Sequence, residues 1–135
     1  MKLVNIFRYY WKSIFIVVLI QYLSFASPVT FERIPTPPIP NLDKLVHFLM
    51  YAGLTAVLIL DFKKHRKSNS NLQFFVLVSI VFPILFGGIV EILQSAYFAP
   101  RTGDWFDWLA DISGVLCAWF GMRLIRPRIL SKSVK

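Results

Sequence analysis

The chain has 135 residues, of which 56% are hydrophobic and 16% are charged, whereas a soluble domain of this size carries about 25% charged residues. This excess of apolar residues indicates an integral membrane protein. The net charge of +8 would suit nucleic acid, but the basic residues stand in short clusters between apolar runs. That distribution is typical of membrane proteins and argues against nucleic acid as a partner.

Four apolar stretches are long enough to cross a bilayer, which requires about 20 helical residues. They cover about residues 6–26, 43–61, 72–96 and 108–125. The first could instead be a signal peptide, since Ser24, Phe25 and Ala26 resemble a cleavage site. The aromatic cluster at residues 9–11 favours a retained helix with an interfacial belt. Five prolines at 27–42 predict a stiff extended spacer after this span.

The basic residues predict the orientation of the spans. Twelve lie near the N-terminus, in the polar turn that begins at residue 63, or near the C-terminus, while the other side holds only Arg33, Lys44 and Arg101. Because Lys and Arg concentrate on the cytoplasmic side, both termini are predicted to be cytoplasmic. The expected fold is a single all-α membrane domain, residues 1–135, built as a bundle of four transmembrane helices.

The stretch 87–114 joins the last two spans and contains an unusual set of polar residues. These are Glu91, Gln94, Arg101, Asp104, Asp107 and Asp111. An ionisable side chain in a membrane is costly unless it is paired or wetted. The residues of this stretch are therefore expected to meet one another, water or a ligand on the extracytoplasmic side.

Helical periodicity places further polar or small residues on one face of each of the last three spans. In the second span this face carries Asp43, His47, Tyr51 and Thr55, with Lys44 at its edge; in the third it carries Gly87, Gly88, Glu91 and Ser95; in the fourth it carries Asp107, Asp111, Gly114, Ala118 and Gly121. The opposite face of the fourth span is predicted to face lipid, through Trp105, Trp108, Ile112, Leu116 and Trp119.

These patterns predict a polar recess between three spans. Its central members are His47, Glu91, Arg101, Asp107 and Asp111. Simpler structural roles compete with this hypothesis. Asp43 and Lys44 could be helix-start charges, His47 and Tyr51 could be interhelical hydrogen-bonding groups, Arg101 could pair with Asp104 or Asp107, and the glycines could be packing positions.

The sequence assigns no set of metal ligands. Cys117 is the only cysteine and is expected to behave as a small hydrophobic residue. With a single candidate histidine, zinc is disfavoured, and oxygen ligands suit Ca²⁺ or Mg²⁺ better. A divalent cation therefore enters only as an open cofactor hypothesis, with Asp107 and Asp111 holding it.

The same residues resemble the VanZ-like family of small bacterial membrane proteins. The resemblance lies in Asp43-Lys44-x-x-His47-Phe48-x-x-Tyr51-x-x-Leu54, Glu91-x-x-Gln94, Arg101-x-x-Asp104-x-x-Asp107 and Gly114. The family pattern usually has asparagine where this chain has Asp111. The resemblance implies a multi-pass protein of the bacterial cytoplasmic membrane with a cell-envelope role, linked to tolerance of a glycopeptide such as teicoplanin, and no defined enzymatic activity.

Three functions are compatible with this sequence. The first is binding of a lipid head group or cell-wall precursor by Asp43, Lys44, His47, Tyr51, Glu91, Gln94, Arg101, Asp104, Asp107 and Asp111. In this function Arg101 and Lys44 are expected to contact anionic groups. The second is an enzyme for a lipid-linked substrate, whose catalytic candidates are His47, Glu91 and Asp107. The third is a proton- or ion-coupled transporter, which would need a homo-oligomer; the near absence of polar residues in the cytoplasmic half argues against it.

Overall fold

The computed structural model describes residues 3–26, 40–65, 72–98 and 103–131. Four helices account for nearly all of them: α1 (Leu3–Phe25), α2 (Leu42–His65), α3 (Leu72–Tyr97) and α4 (Trp105–Ser131). The predicted all-α class is confirmed, since the described ranges contain no strand. Helices α2, α3 and α4 are each long and apolar enough to cross a membrane, over Leu42–Lys63, Leu72–Tyr97 and Trp105–Ile125. Most of the predicted proline spacer lies outside the described residues.

Local signals extend α2 at its C-terminal end and α4 at its N-terminal end beyond the predicted bounds. Helix α2 continues to His65, so the polar turn does not begin at Lys63; residues 61–65 contain no glycine or proline that would end the helix. Helix α4 begins at Trp105 rather than at Trp108. The carboxylate of Asp104 accepts a hydrogen bond from the backbone N–H of Phe106 (2.9 Å), as an N-cap residue does.

Helix α3 contains one π-helical turn, Leu77–Val81, just before Pro83. Proline has no backbone N–H, and its ring would clash with the carbonyl four residues earlier, which belongs to Ser79. The wider π turn avoids this clash, and the backbone N–H of Phe82 donates to the carbonyl of Leu77 instead. The helix thus accommodates Pro83 by a local change in winding.

The core lies where α1, α2 and α4 meet. It consists of Ile20, Tyr51, Leu54, Leu58 and Val115, each 5% exposed or less. The most extensive helix–helix interface is that between α2 and α4, which pack directly through their backbones where Gly114 meets the carbonyl of Phe48. Small residues at such positions let two helices approach closely.

The predicted lipid-facing surface of α4 is wrong for Trp119. Trp119 is only 5% exposed and packs against Phe75, with ring centroids 5.1 Å apart and the ring planes tilted by 37°. The indole N–H of Trp108 donates to the carbonyl of Ile84 (2.9 Å). Trp119 therefore packs inside the bundle, whereas Trp108 stays half-buried beside α3. Cys117, expected as a small buried residue, is exposed on the helix surface.

A buried polar pair lies at the end of the bundle that contains the C-terminal part of α2. The carboxylate of Asp61 in α2 accepts hydrogen bonds from the hydroxyl (2.8 Å) and the backbone N–H (3.3 Å) of Ser13 in α1. Both residues are buried. Asp61 stands at the end of the second predicted span, and α1 covers it there.

Candidate functional site

The N-terminal ends of α2 and α4 and the C-terminal end of α3 lie together at one end of the bundle. Lys44, in the first turn of α2, is the centre of an outer cluster. Its ammonium group lies 3.0 Å from Asp104, 3.1 Å from Asp107 and 3.1 Å from Asp43. We call these four residues the rim.

An inner cluster lies behind the rim, one to two helical turns further into the bundle. The Nδ1 atom of His47 is 3.0 Å from Oδ1 of Asp111 and 3.8 Å from Oε1 of Glu91. One ligand atom from each of these residues lies within 4.8 Å of the others. We call these three residues the inner triad. Each comes from a different helix, so only the packed bundle brings them together.

Glu91 and Asp104 connect the inner triad to the rim. One oxygen of Glu91, Oε1, faces His47, while the other, Oε2, accepts a hydrogen bond from the backbone N–H of Asp104 (3.0 Å). Asp104 in turn caps α4 and contacts Lys44. The hydrogen bond from Phe106, and then the ammonium group of Lys44, hold the pKa of the Asp104 carboxyl below its usual value. Asp104 is therefore a charged carboxylate at neutral pH.

Two other predicted site residues, Asp107 and Gln94, have different positions from those expected. Asp107 contacts Lys44 in the rim rather than joining the inner triad. The side-chain amide of Gln94 donates to the carbonyl of Ser24 (2.7 Å), so Gln94 ties α3 to the end of α1. Arg101 lies outside the described residues. The carboxylates predicted to pair with it, Asp104 and Asp107, both contact Lys44.

Tyr51 extends the polar face of α2 below the inner triad. It is completely buried, and its hydroxyl has no hydrogen-bond partner among the described residues. Thr55, one turn further, is also fully buried with its hydroxyl unpaired in that part of the chain. The predicted stripe Asp43, His47, Tyr51 and Thr55 thus runs from the exposed rim into the core.

A cleft of about 310 Å³ opens on the outer surface of the bundle between α3 and α4. Its walls are apolar, with Leu85, Ile89, Ile92, Trp105 and Trp108. Its polar lining residues are Glu91, Ser95 and Asp104. Ser95 is oriented by two hydrogen bonds, since its hydroxyl donates to the carbonyl of Glu91 (3.0 Å) and accepts from the backbone N–H of Gly103 (2.9 Å).

Acidic groups dominate this end of the bundle within the described residues. In the rim, one ammonium group faces three carboxylates. Behind it, the inner triad adds two more carboxylates and one imidazole. Because Lys44 already contacts three carboxylates, it cannot serve as a free anchor for an anionic group, the role expected of it from sequence. The arrangement instead favours a cationic or hydroxyl-bearing ligand.

Comparison with known proteins identifies a fungal relative. The chain is 34% identical over 122 residues to the Uncharacterized protein C11E3.10 of Schizosaccharomyces pombe, and the alignment covers 89% of this chain and 67% of that protein. No family model matches the chain, and no solved structure matches it. A relative from a fungus gives no support to a bacterial origin or to membership of the bacterial VanZ-like family.

Proposed function

The chain belongs to the same family as the fission yeast protein C11E3.10, and we propose that it is a four-span membrane protein that binds the amine-bearing head group of a lipid. The observation that carries this proposal is the cleft between α3 and α4, because its chemistry matches that of a lipid. Apolar walls suit acyl chains, and the carboxylates of Glu91 and Asp104 suit an ammonium group.

The position of the cleft supports a lipid rather than a water-soluble ligand. Ile89 and Ile92 are 55% and 66% exposed, and Trp105 is 73% exposed. In a spanning bundle these side chains contact the bilayer, with tryptophan near the interface. A lipid can enter such a cleft sideways, so its chains stay among apolar side chains while its head group reaches Glu91 and Asp104.

The charge of the site supports an amine in the head group. The only described cation in the rim is Lys44, and it is surrounded by carboxylates. An anionic lipid would bring a further negative charge beside them, which like-charge repulsion disfavours. A zwitterionic phosphatidylethanolamine can place its ammonium group beside Glu91 and Asp104 and leave its phosphate toward water.

The proposed topology has four spans and cytoplasmic termini, with the rim on the opposite side. Length and composition alone do not identify α1 as a span, but its Ile20 is buried in the common core. In a Cys117→Ser background, Pro40→Cys should react with an impermeant maleimide from outside the cell and Lys64→Cys should react only from the cytoplasmic side. Labelling of both positions from one side would contradict the topology.

Direct binding can be followed through the fluorescence of Trp108, which lines the cleft. A variant with Trp11, Trp105 and Trp119 changed to Phe retains this tryptophan alone. In bilayers that contain a metal chelator, phosphatidylethanolamine with brominated acyl chains should quench Trp108 better than brominated phosphatidylglycerol. We expect about a fivefold preference, since one charge contact near a membrane surface contributes about 1 kcal/mol.

Matched variants test whether the carboxylates cause this preference. Glu91→Gln and Asp104→Asn retain the shape and hydrogen-bonding capacity of the side chains but remove their charge, so together they should abolish the preference. Asp61→Asn removes a carboxylate at the other end of the bundle and should leave it unchanged. Equal quenching by both lipids in the parent protein would refute the head-group proposal.

The enzyme alternative is favoured by one observation. The Nδ1 atom of His47 is hydrogen-bonded to Asp111, and a carboxylate in that position orients an imidazole whose other nitrogen can act as a general base. It would become the preferred function if lipid or muropeptide profiles of cells changed with His47→Ala at normal protein abundance. Profiles that stay unchanged leave lipid binding without chemistry.

The VanZ-like resemblance and its envelope role remain part of this proposal. Its support is the convergence of residues from three separate motifs, Lys44, Glu91 and Asp104, at one end of the bundle. A cell-wall precursor with an exposed amine would satisfy the same chemistry as phosphatidylethanolamine. Residence in the cytoplasmic membrane and a link to teicoplanin tolerance are predictions of that resemblance.

A further inference from the structure

We propose that the inner triad, His47, Glu91 and Asp111, binds one divalent transition-metal ion. This site lies on the interior side of Glu91, whereas the lipid cleft lies on its outer side. The inference does not depend on lipid binding, and each can be measured in the absence of the other. The sequence favoured Ca²⁺ or Mg²⁺ held by Asp107 and Asp111, but Asp107 lies in the rim. The donor set is instead one imidazole nitrogen and two carboxylate oxygens, which suits Zn²⁺, Mn²⁺ or Fe²⁺ better.

The distances within the inner triad fit a common metal ion. Ligand atoms that each lie about 2.1 Å from a metal, in tetrahedral or octahedral positions, are about 3.0 to 4.2 Å from one another. The Nδ1 atom of His47 is 3.0 Å from Asp111 and 3.8 Å from Glu91, and all three ligand atoms lie within 4.8 Å. A change of a few tenths of an ångström would complete the coordination.

Unpaired buried oxygens provide independent evidence for a ligand. Oδ2 of Asp111 and Oε1 of Glu91 have no hydrogen-bond partner among the described residues, and the side chain of Asp111 is 1% exposed. A buried polar atom left without a partner costs about 1–3 kcal/mol. Of these two atoms, Oε1 of Glu91 faces the imidazole of His47 at 3.8 Å, whereas Asp111 contacts the imidazole through its other oxygen, Oδ1. The two unpaired oxygens indicate that a further group completes the cluster.

Gly87 contributes space beside the inner triad. A Cβ atom added there would lie 2.6 Å from Oδ2 of Asp111 and 3.3 Å from the ring of Tyr51 near its hydroxyl. The buried hydroxyl of Tyr51 is itself unpaired in the described part of the chain. Tyr51 is therefore positioned to contact a metal-bound water or a ligand carboxylate from below.

Charge balance also favours a divalent ion. The two carboxylates of the inner triad are buried inside the bundle, within the parts of α3 and α4 that are apolar enough to cross a membrane. Unpaired charge is costly there. Lys44 contacts the rim carboxylates and not these two. A divalent cation with a neutral His47 makes the group electrically neutral, whereas without it two protons must be taken up to reach the same balance.

The test uses the full-length protein, purified in detergent without added phospholipid, stripped with a chelator and then dialysed against Zn²⁺ or Mn²⁺. Elemental analysis should find about one ion per chain, retained through size-exclusion chromatography. Asp111→Asn and Glu91→Gln should each weaken binding at least tenfold, since loss even of a supporting group costs about 10- to 100-fold. Asp61→Asn and Asp43→Asn, which change carboxylates outside the inner triad, should bind as the parent does.

A variant that gains a spectroscopic signal keeps the proposal testable if the other variants fold poorly. With Co²⁺ in place of Zn²⁺, His47→Cys should show a thiolate-to-cobalt charge-transfer band that the parent protein lacks. Less than a tenth of an equivalent bound to the parent, binding by Asp111→Asn equal to that of the parent, or a cobalt complex of His47→Cys without this band would each overturn the proposal. Loss of metal binding with lipid preference intact would leave the lipid proposal standing, and the converse also holds.

Discussion

Replacing Gly114 with valine is expected to prevent α2 and α4 from packing together. A Cβ atom at this position would collide with the backbone carbonyl oxygen of Phe48 and approach the backbone nitrogen of Ala52 to 3.1 Å. Both atoms belong to the helix backbone and cannot move aside as a flexible side chain could. Overpacking costs about 1–3 kcal/mol even where a core can relax. We therefore expect Gly114→Ala to lower stability by that amount and Gly114→Val to leave little folded protein.

The measurement is thermal unfolding in detergent, together with the fraction of monodisperse protein. Gly121 and Gly53 provide matched controls, because nothing lies within 4 Å of a Cβ atom added at either position. Gly121→Ala and Gly53→Ala should be neutral or slightly stabilising, since alanine favours a helix over glycine by about 1 kcal/mol. If Gly114→Val unfolded at the same temperature as Gly121→Val, the two helices could not be in direct backbone contact.

Replacing Lys44 with methionine is expected to destabilise the protein at neutral pH. Methionine retains most of the length of the side chain but removes the cation that three carboxylates contact at 3.0–3.1 Å. Asp43, Asp104 and Asp107 would then repel one another at the end of the bundle. Single exposed ion pairs contribute little, but a network with one shared cation contributes more. We expect the melting temperature to fall by about 5 °C.

The pH dependence distinguishes charge repulsion from lost packing. In the parent protein the pKa of Asp104 is held below its usual value by Phe106 and Lys44, so its stabilising contribution is present above about pH 4 and is lost as the pH falls through the lowered pKa. In Lys44→Met the hydrogen bond from Phe106 remains, but the lowering by Lys44 is lost and the neighbouring carboxylates oppose ionisation, so the pKa of Asp104 is higher than in the parent protein. The deficit should be full at pH 7 and shrink as the pH falls below about 4.

Two further variants make this interpretation testable. Asp104→Asn combined with Asp107→Asn in the Lys44→Met background should recover most of the lost stability at pH 7, because the repelling charges are gone. Lys12→Met, which removes an exposed lysine in α1 over the ring of Trp11, should change the melting temperature little at either pH. A deficit that stayed constant from pH 7 to pH 3.5 would mean that packing rather than charge is responsible.

Several contacts of the site can be predicted from helical periodicity, because their residues repeat along single helices. His47, Tyr51 and Thr55 were assigned to one face of α2, and the latter two are fully buried. Glu91 and Asp111 were assigned to the polar faces of α3 and α4, and both reach His47. The convergence was predictable because lipid excludes polar side chains, so the polar faces of neighbouring helices must be buried against one another.

Other contacts cannot be predicted from the sequence pattern, because they depend on which helix covers which residue. Asp61 looked like the end of a helix, but Ser13 of α1 packs over it. Gln94 looked like a member of the polar site, but the end of α1 supplies a carbonyl for its amide. Lys44 looked like an anchor for anions until the start of α4 brought Asp104 and Asp107 to it. Periodicity within one helix contains no information about the rotation or offset of its neighbour.

The sequence by itself determined the all-α class and the membrane-protein character of this chain, because composition and apolar run length depend only on the order of residues. It also determined which residues are polar within apolar helices. Only the tertiary structure decided how those residues divide into a charged rim around Lys44 and an inner triad around His47. That division follows from the close approach of α2 and α4 at Gly114, which sets the axial offset of the two helices and hence which carboxylate meets which cation.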